Sequence, residues 1–70
     1  MKIDKQMSDD AVLNELGQRL ARRRIELGLT QGQAAGEAGL GKRTVERVET
    51  GCDTQMGTLI RLMRVLDLVD

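Results

Sequence analysis

Residues 30–51 read TQGQAAGEAGLGKRTVERVETG, two short helical patterns on either side of a glycine-bearing turn. Thr30 is a good N-cap, and Gln33, three residues on, completes a capping box. The first helix is predicted over 31–38, with Gly39 as the left-handed residue that stops it. Leu40 and Gly41 finish the turn. The second helix is predicted over 42–49 and is stopped in the same way by Gly51. Two helices across a three- or four-residue turn containing glycine make a helix-turn-helix. Ala34, Ala35 and Ala38 share one face of the first helix, and Val45 and Val48 share one face of the second. Leu40 is placed to plug the gap, and the small Ala35 lets the second helix cross closely. The outer face of the second helix carries Lys42, Arg43, Thr44, Glu46 and Arg47. Small and β-branched residues inside, with Lys and Arg outside, suit a DNA major groove.

Working upstream, Ser8 can cap a first helix predicted over about 9–27, and Asp9 and Asp10 favour its N-terminal dipole. Leu13, Leu16, Leu20 and Leu27 lie along one side, with Arg23 and Arg24 where the stripe would continue. Gly28 ends this helix and Leu29 is placed to pack back on it. Arg22 reads as part of a solvated face. Arg23 is expected to cover the core with its stem while its head reaches water. Residues 1–7 read as a flexible leader, leaving 8–70 as the folded domain. Gly32 and Gly36 fall inside the helix over 31–38, read as tolerated rather than as points of close backbone approach.

Downstream, Thr54 is expected to cap a fourth helix over about 55–66. Its apolar residues Met56, Leu59, Ile60, Leu62, Met63, Val65 and Leu66 exceed a single buried stripe. Part of the surplus is core. Leu62, Val65 and Leu66, with Leu68 and Val69, form a candidate dimer surface; the competing reading is a core that wraps the fourth helix on two sides. The expected core is Leu16, Leu20, Leu29, Ala35, Leu40, Val45, Val48, Leu59 and Leu62.

A chain of 70 residues without Trp, Tyr, Phe or Pro is one aliphatic, helical domain at most. One Cys and no His leave neither a disulfide nor a metal site, and no cofactor is implied. No nucleophile–base pair or phosphate-binding glycine loop points to an enzyme. No signal peptide or membrane span is visible, so a cytoplasmic home is expected. Net charge is zero, but residues 1–16 carry −2, residues 17–51 carry +3 and residues 52–70 carry −1. The positive excess lies on the helix-turn-helix and the helix before it, and such local patches bind DNA.

Gln31, Ala35, Gly39, Leu40, Thr44-Val45, Arg47-Val48-Glu49 and Gly51 occur in this order. Leu16-Gly17-Gln18-Arg19-Leu20 and Arg24 precede them, Gly28-Leu29-Thr30 lead into them, and Thr58-Leu59 and Leu62 follow. Over residues 13–68 this set resembles the Xre/Cro-type helix-turn-helix family of small phage repressors and bacterial regulators. The resemblance implies an all-α, compact four- to five-helix bundle of the phage-repressor type. It implies that Arg24 pairs with Glu49, tying the first helix to the recognition helix. It places Lys42, Arg43 and Arg47 at base-reading positions and Gln31 where a phosphate is gripped. Arg23 departs from the family, which often has an apolar residue there, as does Gly41, where Ser or Thr often caps the recognition helix.

Two readings of function follow. The first is a DNA-binding regulator, a repressor bound as a homodimer to a pseudo-palindromic operator in double-stranded DNA. Thr30, Thr44 and Thr50 join Gln31 as candidate phosphate contacts. Glu46 either accepts from cytosine N4 or restrains Lys42 and Arg43. The second reading is an antitoxin-like or adaptor module that holds a toxin or other partner protein through the fourth helix and the C-terminal tail.

Overall fold

The computed structural model describes residues 2–69. Among these residues there are four helices and no strand: α1 (Asp9–Glu26), α2 (Gln31–Ala38), α3 (Lys42–Glu49) and α4 (Met56–Val65). Local chemistry sets most of the boundaries. Ser8 Oγ accepts from the Ala11 amide at the start of α1. At the start of α2, Thr30 Oγ1 accepts from the Gln33 amide and Gln33 Oε1 accepts from the Thr30 amide, the reciprocal capping box.

The turn between α2 and α3 closes through Gly39, which takes φ 70° while the Leu40 amide donates to the Ala35 carbonyl at 2.8 Å. A side chain at that φ would be strained. α4 closes with the same hydrogen-bond pattern, but its left-handed residue is Asp67, at φ 59°. Within the expected leader, residues 4–7 close a turn in which the Met7 amide donates to the Asp4 carbonyl. Ile3 and Met7 are half-buried.

The start of α4 differs from expectation. Thr54 does not cap it; Gln55 is the N-cap, and its side chain makes no cap hydrogen bond. The helix starts at Met56, which leaves Thr54 one residue outside the cap position; its amide donates to Asp53 Oδ1 at 2.8 Å. α1 also ends earlier than 27. Leu27 is its C-cap and stays 38% exposed, so it drops out of the apolar stripe.

The core is Leu20, Ala34, Ala35, Val45, Val48, Leu62 and Leu66. Leu16, Leu29, Leu40 and Leu59 pack against this centre only partly buried; Leu29 and Leu40 lie in the turns that follow α1 and α2. α2 packs on both α3 and α4, and α1 packs on α3.

This arrangement corrects the candidate dimer surface. Leu62 and Leu66 are 1% and 0% exposed: four residues apart, they share the face of α4 that turns inward. Val65 is partly buried against the same core. Leu68 and Val69 remain exposed, as do Met56 and Ile60 on α4.

Gly36 faces open space, with nothing within 4 Å of an added Cβ. Gly36→Ala is therefore expected to stabilise the fold by ~0.5–1 kcal/mol, through helix propensity and a less flexible unfolded chain. A urea melt checks this; a midpoint that stays put or falls would show that α2 needs a glycine there.

Candidate nucleic-acid interface

Helix α3 divides cleanly. Val45 and Val48 face inward, fully or nearly buried, so the register of the helix is fixed by packing. Lys42, Arg43 and Arg47 are consequently exposed, and Thr44 and Glu46 are half-buried at the margins. Lys42 Nζ lies 3.7 Å from Glu46 Oε1, an exposed i,i+4 pair that adds little stability but biases the lysine's rotamers. Among the described residues, Arg43 and Arg47 form no ion pair within the fold. Thr44, Arg47, Val48, Asp53 and Thr54 line a shallow concavity of about 190 Å³ beside the helix.

The start of α2 comes close to the other end of α3. Gln31 Nε2 donates to Glu49 Oε1 at 3.0 Å. Glu49 is the last residue of α3, roughly 10 Å along the helix axis from Lys42. Thr30 Oγ1 is used as an acceptor in the capping box, so its own proton stays available to a phosphate. Thr50 is different: its Oγ1 donates to the Arg47 carbonyl at 2.9 Å. A hydroxyl has one proton, so a phosphate at Thr50 would have to displace that bond.

Arg24 holds this assembly from beneath. Its Nε donates to Glu49 Oε2 at 2.7 Å, its Nη2 to Glu49 Oε1 at 3.1 Å and its Nη1 to the Leu29 carbonyl at 2.8 Å. The fork is bidentate and largely out of water, with side-chain exposures of 12% for Arg24 and 7% for Glu49. The hydrogen bond to Glu49 holds the guanidinium above its ordinary pKa, against a smaller opposing pull from burial. One cation thus links the last turns of α1 and α3 and the turn that leads into α2.

Three structural contributors escaped the sequence reading. Arg23 does not simply send its head into water: its Nε donates to the Leu66 carbonyl at 2.9 Å, placing a cation on the last carbonyls of α4. Glu15 is buried beside Arg19, whose Nε lies 3.2 Å from Glu15 Oε1. The i,i+4 spacing of that pair was readable; its burial was not. Gly17 sits where α1 meets the end of α3, and an added Cβ would lie 2.5 Å from the Val48 carbonyl oxygen.

Among the described residues, no helix is long and apolar enough to cross a membrane. The family described as "Helix-turn-helix domain" matches residues 15–70, in agreement with the resemblance read from the sequence. No curated protein matches the chain.

Proposed function

This chain belongs to the helix-turn-helix domain family, and on that premise we propose that it is a sequence-specific DNA-binding transcriptional regulator acting as a repressor. The observation that carries the reading is the exposed Lys42, Arg43 and Arg47 face of α3, opposite a fully used inner face. Arg43 and Arg47 are one turn apart, so both point into one groove when the helix docks. Arginine bidentate to guanine O6 and N7 is the commonest specific contact. Lys42, at the start of the helix, reaches the bases as well, with Glu46 either restraining it or accepting from cytosine N4. Gln31 and Thr30 meet a phosphate at the start of α2, where backbone amides and the helix dipole favour an anion. Thr44 supplies a further phosphate contact beside Arg47; Thr50 is the weakest of the set because its proton is committed.

A homodimer places two copies of α3 in successive major grooves, roughly 34 Å apart on a pseudo-palindromic site. With Leu62 and Leu66 in the core, the interface draws on Leu68 and Val69 with the edge of Val65. Bound in this way in the cytoplasm, the dimer blocks polymerase sterically, and no step calls for a catalyst or cofactor. A single sedimenting monomer, both free and on the preferred duplex, would remove the dimer from this reading. A second reading, an antitoxin-like or adaptor module, is favoured by the exposed Met56, Ile60, Leu68 and Val69 on α4 and the tail.

Selection of bound duplexes from a random pool supplies the preferred site and its symmetry. On that site Arg47→Ala is expected to cost ~1–3 kcal/mol of binding and to relax base preference at one position. Gln31→Ala is expected to weaken all duplexes about equally and leave the salt slope almost unchanged, because the lost group is uncharged and reads no base. Salt titrations on preferred and scrambled duplexes separate the two. Undiminished discrimination in both Arg43→Ala and Arg47→Ala would transfer the case to the interaction module.

A further inference from the structure

The first residue of α2 and the last residue of α3 share one carboxylate. Glu49 Oε1 accepts from Gln31 Nε2 and from Arg24 Nη2, while Oε2 accepts from Arg24 Nε. The arginine fork grips both oxygens, and the Glu49 side chain is 7% exposed, so the acceptor is fixed in position and direction. A primary amide can present either of its ends to a neighbour, but an ionised carboxylate only accepts. Glu49 therefore selects the NH2 end of Gln31 and repels its carbonyl. One amide proton goes to Glu49, and the second stays on the same nitrogen, directed away from the carboxylate. Gln31 is half-buried at the start of α2, not sealed in the core.

We propose that Glu49, clamped by Arg24, is a positioning residue for DNA binding: it locks the Gln31 amide so that an N–H, rather than the carbonyl, meets the phosphate. The proposal rests on the reading of Gln31 as a phosphate contact. Its physical content is preorganisation. A free glutamine side chain loses rotamer freedom when it is immobilised on a ligand, and half of its amide orientations offer an oxygen to an anion. Here both choices are made before DNA arrives. Glu49 also joins α1 to α3, and through that structural role alone it would affect binding whether or not residue 31 is a glutamine. This difference makes the two roles separable.

The test uses wild type, Gln31→Ala, Glu49→Gln and the double variant, each verified as helical in the cold, on preferred and scrambled duplexes. Gln31→Ala and Glu49→Gln are each expected to weaken both duplexes about threefold to tenfold, the worth of one hydrogen bond. The double variant is expected to bind no worse than the weaker single one. Equal losses from Glu49→Gln in both backgrounds would overturn the positioning role. Wild-type affinity in Gln31→Ala would overturn it too, by removing the phosphate contact; the base-reading role of α3 would then stand or fall on Arg47→Ala alone. Should Glu49→Gln fail to fold, the wild-type protein decides by NMR. The Gln31 side-chain amide protons are expected to exchange several-fold more slowly than those of the exposed Gln18 and Gln55, and equal rates would overturn the lock.

Discussion

Arg24→Ala is expected to remove ~3–5 kcal/mol of folding stability, because it leaves the Glu49 carboxylate buried without its cation. The loss has three parts. The bidentate hydrogen bonds to Glu49 vanish, the Leu29 carbonyl loses its donor, and Glu49 sits at the C-terminal end of α3, where the helix dipole already opposes a negative charge. Only the neutral Gln31 amide remains to it. A domain of this length has about 4–10 kcal/mol in total at the usual stability per residue, so the variant is expected to be partly unfolded at room temperature. A urea melt should show the midpoint collapsing with little change in slope. The double variant Arg24→Met/Glu49→Leu, which removes both charges and keeps volume, is expected to recover most of the loss. An Arg24→Ala midpoint equal to that of wild type would mean that the pair contributes nothing to folding.

The legible parts of this fold are those whose cause is local. Thr30 with Gln33 announces α2, Ser8 announces α1, and Gly39 closes the turn between α2 and α3, because each satisfies or frees backbone groups within a few residues. The outer face of α3 was legible for the same reason: Val45 and Val48 fix the inner face by helical spacing, and Lys42, Arg43 and Arg47 are what is left.

The remaining parts depend on packing partners or on local geometry that residue type does not specify. The apolar residues of α4 outnumber one buried stripe, and only packing in the bundle shows that Leu62 and Leu66 are the pair that turns inward. Arg23 finds its acceptor 43 residues away. Thr54 has the composition of a cap, but α4 starts at Met56, one residue too late for it. Thr50 qualified as a phosphate contact by residue type, and only the geometry shows its proton spent on the Arg47 carbonyl.

Gly17 is the sharpest case of a residue whose importance lies outside its own helix, and Gly17→Ala is expected to cost ~2–3 kcal/mol through overpacking. By propensity alone the same change should help, since alanine in a helix interior is favoured by ~1 kcal/mol over glycine. Packing reverses the sign. The new Cβ would lie 2.5 Å from the Val48 carbonyl oxygen, 2.8 Å from the Glu49 carbonyl oxygen and 3.0 Å from the Glu49 carbonyl carbon. All three are backbone atoms, so no flexible side-chain tip can yield, and the last turn of α3 has to move away from α1. That movement pulls Glu49 against the Arg24 fork and tilts the face that carries Arg43 and Arg47. DNA affinity is therefore expected to fall even where the protein is still fully folded, and to fall on preferred duplexes more than on scrambled ones, because base contacts tolerate displacement less than phosphate contacts do. Gly36→Ala is the matched control, with the same chemistry in a helix that leaves its Cβ in open space. Urea melts and duplex titrations of the two variants should move in opposite directions for stability and separate clearly for binding. If Gly17→Ala instead melted at or above the wild-type midpoint, the close approach of α1 to the end of α3 would not be the constraint that sets this glycine.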